Sequence, residues 1–111
     1  MDYPDFPKCQ PKYREKMVTA LSERDVFLVS GSYCHWCTKA KDLLSMYKVP
    51  TKEIMLDQMH PREAMEYANC IFGPEQRMVP RIYLKGRKLG GYSELWSLHD
   101  NGFLEKEYGK P

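Results

Sequence analysis

The chain has little of what several specialised classes require. Its longest uninterrupted apolar run is Val26 to Val29, far too short to cross a bilayer. No basic-then-apolar segment opens it, so no secretory signal is expected and the expected location is cytoplasmic. Neither charge sign is in large excess: 17 Lys and Arg stand against 15 Asp and Glu, a formal net charge of +2. That excludes a broad electrostatic grip on nucleic acid or an anionic membrane surface. Repeats and internal linkers are lacking, and 111 residues suit one domain with a modest core. With 42% hydrophobic and 29% charged residues, the composition is that of a chain that folds.

Cysteine is sparse too. Cys9, Cys34, Cys37 and Cys70 are the four present, and without a signal segment they do not read as the disulfide framework of a secreted scaffold. Neither Cys9 nor Cys70 has a closely spaced Cys or His neighbour, which argues against a tetrahedral structural zinc site. The Cys34-His35-Trp36-Cys37 spacing is the feature that needs a chemical explanation.

Prolines at 4, 7 and 11 predict an irregular arm over residues 1–11. From Pro11, the positions Tyr13, Met17, Val18, Ala20 and Leu21 predict a first helix. Val26 to Val29 reads as a strand buried on both faces. A polar turn, Ser30 to Tyr33, leads to the cysteine pair, and Trp36, Ala40, Leu43, Leu44 and Tyr47 then fall on one face of a helix. Lys52 to Leu56 predicts a second strand, and Pro61 opens a helix with Ala64, Met65, Ala68, Ile71 and Phe72 on its face, ended by Gly73-Pro74. Arg81 to Leu84 and Arg87 to Leu89, about Lys85-Gly86, predict a hairpin. Ser93 to Asp100 predicts a last helix, continued after Gly102. Strand-helix-strand demands a parallel pair and the hairpin an antiparallel one, so the expected class is α/β with a central mixed sheet flanked by helices.

A Cys-x-x-Cys pair at a helix start brings two sulfurs within bridging distance and sets the first beside unsatisfied backbone N–H groups at the positive end of the helix dipole. Both favour the thiolate, and such settings bring a first cysteine from about 8.5 to about 3.5–7.5. Cys34 is therefore the expected nucleophile. Cys37, one turn deeper, is placed to attack a mixed disulfide on Cys34 and release the substrate. An inert buried pair fits poorly with the polar approach, while a coordination site completed only in a dimer stays open.

Taken together, the Val26 to Ser30 strand, Tyr33-Cys34-His35-Trp36-Cys37, Met78-Val79-Pro80-Arg81 and Gly90-Gly91-Tyr92-Ser93-Glu94-Leu95 resemble the glutaredoxins over roughly residues 24–104. The resemblance implies a thioredoxin-like fold, with four sheet strands and an N-terminal helical extension. It implies glutathione-dependent reduction of protein disulfides and protein–glutathione mixed disulfides by a chain acting as a monomer, with glutathione as co-substrate and no tightly bound cofactor. Cys34 then takes up glutathione and Cys37 resolves. Val79-Pro80 matches a cis segment whose Val79 backbone groups pair with the cysteine of glutathione. Met78, in place of a common threonine, completes that segment. Gly90 and Gly91 permit close approach of the ligand, and the Ser93 and Glu94 N–H groups suit its γ-glutamyl carboxylate. The Glu94 carboxylate, where relatives carry aspartate, would meet its α-ammonium. Gln76 and Arg77 match side chains that contact the glycine carboxylate.

Other positions depart from the family or have two readings. Gly31 stands where many relatives have a lysine, removing one cationic contact. His35 would support the Cys34 thiolate if protonated, or else simply be solvated. Tyr33 would line the glutathione groove or pack in the core. The lack of a proline between the cysteines keeps open a [2Fe-2S] cluster shared across a dimer, and a thioredoxin-type reductase fed by a flavoenzyme is the other alternative. Cys70 reads as a small packing thiol; for Cys9 nothing supports more than a bystander. His60 and His99 read as helix-end residues rather than metal ligands. Arg81, Lys85, Arg87 and Lys88 read as the solvated surface of the hairpin, with attraction of acidic substrates as a secondary role.

Overall fold

The structure is a computed structural model that describes residues 6–111; residues 1–5 of the expected arm lie outside them. The elements are α1 (Pro11–Glu23), β1 (Val26–Ser30), α2 (His35–Met46), β2 (Thr51–Met55), a short 3-10 turn (Leu56–Gln58), α3 (Pro61–Ile71), β3 (Arg81–Leu84), β4 (Arg87–Gly90), α4 (Tyr92–Asp100) and α5 (Phe103–Tyr108). Both Pro11 and Pro61 take the first helical position, where the missing N–H costs no hydrogen bond. His60 caps α3 by accepting the Arg62 N–H on Nδ1 at 3.2 Å.

The strand order is β2-β1-β3-β4. β1 pairs in parallel with β2, from Val26 opposite Thr51 to Ser30 opposite Met55, and antiparallel with β3. β3 and β4 form the antiparallel hairpin. The mixed sheet flanked by helices is the expected arrangement. β1 is buried at every position, and its alternation splits the core. Phe27 and Val29 face Met17, Leu21, Ile71 and Phe72 under α1 and α3. Val26 and Leu28 face Ala40, Leu43, Leu44, Leu95 and Leu104 under α2, α4 and α5. Fully burying each of these strand side chains is worth about 1.5–3 kcal/mol, which holds β1 and the turn after it in place. Among the described residues, no helix is long and apolar enough to cross a membrane.

Four sequence expectations are corrected. Cys9 and Cys70 are not bystanders: they form a disulfide with Cα atoms 4.6 Å apart. The arm turns back on itself, with the Cys9 N–H donating to the Phe6 carbonyl at 2.9 Å, and both cysteines enter the core beside Met17, Ile71 and Phe72. The Phe6 ring then covers Gly73, where φ is +54° and a Cβ would stand 2.5 Å from the ring, so only glycine suits that position.

Arg81 is buried rather than solvated. Its guanidinium stacks over the Phe72 ring at 5.0 Å and donates to Glu75 Oε2 at 3.1 Å. β3 is an inner strand, so the aliphatic stem is covered while the charge finds a carboxylate at the rim. Lys85, Arg87 and Lys88 remain exposed.

Trp36 leaves the apolar face of α2, half its surface being exposed, and Cys37 takes the buried place beside Ala40. Its ring turns to Tyr92, centroids 5.4 Å apart. Met65 likewise stands outside the core, where Ala68, Cys70 and Ile71 form the buried face of α3.

Candidate active site

The buried β1 ends at Ser30, and the turn after it is held from outside the sheet. Asp57, in the 3-10 turn, accepts the Ser32 N–H on both carboxylate oxygens at 3.0 and 3.1 Å, and Gln58 donates to Ser32 Oγ at 2.7 Å. The Ser32 amide first and the Ser32 hydroxyl second hold the Asp57 carboxyl below its ordinary 3.8. Nothing in the local pattern reveals these contacts, which join residues 25 and 26 positions apart.

Cys34 is the N-cap of α2 and Cys37 lies in its first turn, the two joined as a disulfide with Cα atoms 5.2 Å apart. Cys34 is half-buried, while Cys37 is 1% exposed. The Cys37 N–H donates to Cys34 Sγ at 3.1 Å, and the same amide would stabilise the thiolate formed on reduction. Cys34 Sγ also lies 3.9 Å from the Val79 carbonyl oxygen. The Val79-Pro80 bond is cis, as the resemblance implied. These contacts bring together the first cysteine and the Val-Pro segment, 45 residues apart.

Next to this pair opens a cleft of about 430 Å³, walled by Trp36, Met78 to Arg81, Lys88 and Gly90 to Glu94. Of the expected ligand contacts, Met78, Val79, Pro80, Gly91, Ser93 and Glu94 are therefore brought to one place. Gln76 and Arg77 are exposed on the loop leading into Met78, outside the cleft walls. Tyr33, at φ 54°, stands fully in solvent; this overturns the core-packing reading, and the ring forms no wall of the cleft. His35 is exposed, its ring set edge-on to Trp36 with centroids 5.4 Å apart.

Glu94 is committed within its own helix start. Oε1 accepts the Gly91 N–H at 2.6 Å and Oε2 accepts from Ser93 Oγ at 2.7 Å, the half of a capping box that a glycine N-cap allows. These bonds, the Gly91 amide foremost, pull its carboxyl below the usual range. The carboxylate lies so close over Gly90 that a Cβ there would meet Oε1 at 2.5 Å. Two other wall residues, Arg81 and Lys88, are held by Glu75 from outside the cleft, at 3.1 Å and 3.2 Å, and the Lys88 bond leads in lowering the Glu75 carboxyl. Sequence reasoning missed Trp36, Arg81, Lys88 and Tyr92 as walls. Tyr92 lay inside the Gly-Gly-Tyr-Ser-Glu-Leu stretch and had a signal; Lys88 was hidden in a run of hairpin charges. Among the described residues, no three His, Cys, Asp or Glu side chains converge as a metal site.

A half-buried sulfur at a helix start, a buried partner sulfur and an adjoining cleft can exchange thiols for disulfides. Residues 26–89 match the family described as Glutaredoxin. Glutaredoxin-1 of Saccharomyces cerevisiae is 30% identical over 89 residues, covering 78% of this chain and 81% of the relative. Glutaredoxin-2 of Schizosaccharomyces pombe is 32% identical over 87 residues, 78% of each. In three dimensions, the crystal structure of a buckwheat glutaredoxin–glutathione complex superposes with a TM-score of 0.72 over 95% of this chain and 94% of that one, at 21% identity, a likeness of the thioredoxin-like fold. With the motifs, the fold and the yeast relatives in agreement, the chain belongs to the glutaredoxin family of thiol-disulfide oxidoreductases.

Proposed function

We propose that this glutaredoxin reduces protein disulfides and protein–glutathione mixed disulfides with electrons from glutathione. The observation that carries the reading is the approach of Cys34 Sγ to the Val79 backbone, 3.9 Å away, at the cleft. A mixed disulfide on Cys34 would sit where the Val79 N–H and C=O can pair with it as with a strand. The Ser93 and Glu94 amides at the α4 start suit the γ-glutamyl carboxylate. Arg77 and Gln76 suit the glycine carboxylate from the neighbouring loop. Support also comes from the buckwheat relative of the same fold, which was crystallised with glutathione.

Two routes follow. On a glutathionylated protein, the Cys34 thiolate attacks the glutathione sulfur, a Cys34–glutathione disulfide forms, and the protein thiolate leaves and takes up a proton. A second glutathione thiolate then attacks that disulfide, releasing oxidised glutathione and restoring the Cys34 thiolate. On a protein disulfide, Cys34 forms a mixed disulfide with one substrate sulfur. Cys37 then loses its proton, attacks Cys34 Sγ and closes the intramolecular disulfide, releasing the reduced substrate; two glutathiones reopen it.

The test is turnover of a glutathione mixed disulfide, coupled to glutathione reductase, beside an assay with thioredoxin reductase as donor. Glutathione-driven turnover is expected. Turnover with thioredoxin reductase and none with glutathione overturns the reading, as would a reduction potential near about −270 mV rather than about −200 to −230 mV.

A further inference from the structure

Seven large apolar side chains are exposed among the described residues, and they are not scattered. Met46 and Met65 stand apart at the end of α2 and on α3, whereas Trp36, Met78 and Val79 flank the catalytic cleft, Tyr33 adjoins Cys34, and Trp96 continues the row along α4. The row runs ring on ring: Trp36 to Tyr92 at 5.4 Å, then Tyr92 to Trp96 at 6.3 Å. Trp36 and Tyr92 are cleft walls, but Trp96 lies beyond the cleft, still 46% exposed. Tyr92, half-buried against the core, and the exposed Trp96 are four apart on α4 and so share a flank, with Leu95 fully buried beneath, so Tyr92 is the floor between the two exposed indoles. Clustered exposed aromatics of this kind mark contact surfaces and supply much of their binding energy.

We infer that Trp36, Tyr92 and Trp96 form a docking shelf for the polypeptide flanking a target cysteine, and that Trp96 selects substrates with an aromatic side chain a few residues from that cysteine. The inference rests on the proposed glutathione-dependent activity. Continuity chooses the occupant. Disulfide exchange fixes the target sulfur at Cys34, the backbone of the bound segment pairs at Val79, and the shelf begins at the same cleft wall. Glutathione is a tripeptide held in the cleft, so a group that reaches Trp96 while the sulfur is at Cys34 belongs to a longer chain. The row is at most about 12 Å long, which an extended chain crosses in about three to four residues at its usual 3.3–3.6 Å per residue.

The experiment compares kcat/KM on three substrates: the mixed disulfide of glutathione with 2-mercaptoethanol, a peptide closed by an intramolecular disulfide with tryptophan three residues from one of its cysteines, whose sulfur passes to Cys34, and the same peptide with serine there. Wild type is expected to favour the tryptophan peptide about tenfold, the yield of one buried aromatic contact. Trp96→Gln is expected to reduce that preference to within about twofold, with the small mixed disulfide turned over as before, and Trp96→Phe to restore most of it. Preference that survives Trp96→Gln, an equal loss on all three substrates, or a wild-type dimer that Trp96→Gln dissociates each overturns the shelf. Wild type that turns over the small mixed disulfide without peptide preference overturns the shelf alone. Wild type inert on the small mixed disulfide overturns the glutathione reading, and the shelf with it.

Discussion

The Cys37 amide donates to the sulfur of Cys34 across 3.1 Å, while the Cys37 side chain lies buried beneath. One residue thus supplies two functions, a backbone dipole that favours the attacking thiolate and a second sulfur that closes the ring. Substitution of the side chain leaves the amide in place. Cys34→Ser is therefore expected to reduce every activity to the uncatalysed rate. Cys37→Ser is expected to retain glutathione mixed-disulfide reduction within about threefold while losing reduction of protein disulfides. Parallel assays on the two substrate types decide it, and equal losses in both variants would contradict the division of roles.

Glu94 gives a pH signature. Hydrogen bonds from the Gly91 amide and the Ser93 hydroxyl favour its ionised form, so its carboxyl titrates below the ordinary 4.5. A depressed carboxylate stabilises the fold fully above its unfolded value, and that contribution fades as pH falls through the depressed one. The start of α4 should therefore loosen only in acid, below the usual glutamate range. Wild type is expected to exceed Glu94→Gln in stability near neutrality, with the gap closing in acid. Carboxyl NMR checks it directly: a Glu94 midpoint at or above 4.5 would remove the basis of the prediction.

What could be read from the chain was what depends on near neighbours. The Val26 to Val29 run announced a strand buried on both faces, Pro11 and Pro61 marked helix starts, and the Cys34 to Cys37 spacing placed a reactive pair at a strand-to-helix junction. Contacts set by tertiary packing were not legible. Cys9 and Cys70 are 61 positions apart, and the proline-rich arm has no periodicity to reveal that it folds back. Arg81 read as surface because its charged neighbours Lys85, Arg87 and Lys88 are surface, although an inner strand covers its stem with Phe72. Trp36 fitted the helical stripe by spacing alone, yet in the first turn of α2 its ring met Tyr92 rather than the core.

The Cys9–Cys70 bridge closes residues 9–70, more than half of the chain, into one loop and lies wholly within the core under α1 and α3. Cross-linking a loop of that length removes much of the entropy of the unfolded chain, typically about 2–4 kcal/mol. Cys9→Ala is expected to lower the melting temperature by about 10 °C or more, with Cys34-dependent chemistry retained. Because both sulfurs are almost fully buried, brief exposure to glutathione is expected to free the thiols of Cys34 and Cys37 alone. Thiol counting under native and denaturing conditions separates the pairs. Four thiols freed under native conditions, or an unchanged melting curve for Cys9→Ala, would sink the assignment.

Gly31 faces the Asp57 carboxylate and Val79, and a Cβ built there would meet each at 3.8 Å, an ordinary contact. Its backbone carries no positive φ, so a side chain is tolerated. Gly31 itself brings no charge to face the Asp57 carboxylate, although glutathione carries carboxylates at both ends. Gly31→Lys should supply the missing charge without disturbing the turn. An exposed ion pair is worth about 0.2–1 kcal/mol, so the KM for glutathione is expected to fall about two- to fivefold at low ionic strength, with kcat little changed. Asp57 competes for the new ammonium, and added salt screens both pairs. The gain should therefore grow in Gly31→Lys combined with Asp57→Asn and shrink as salt is raised. A KM that does not move in either variant at low salt would show that neither glutathione carboxylate binds on this side of Cys34.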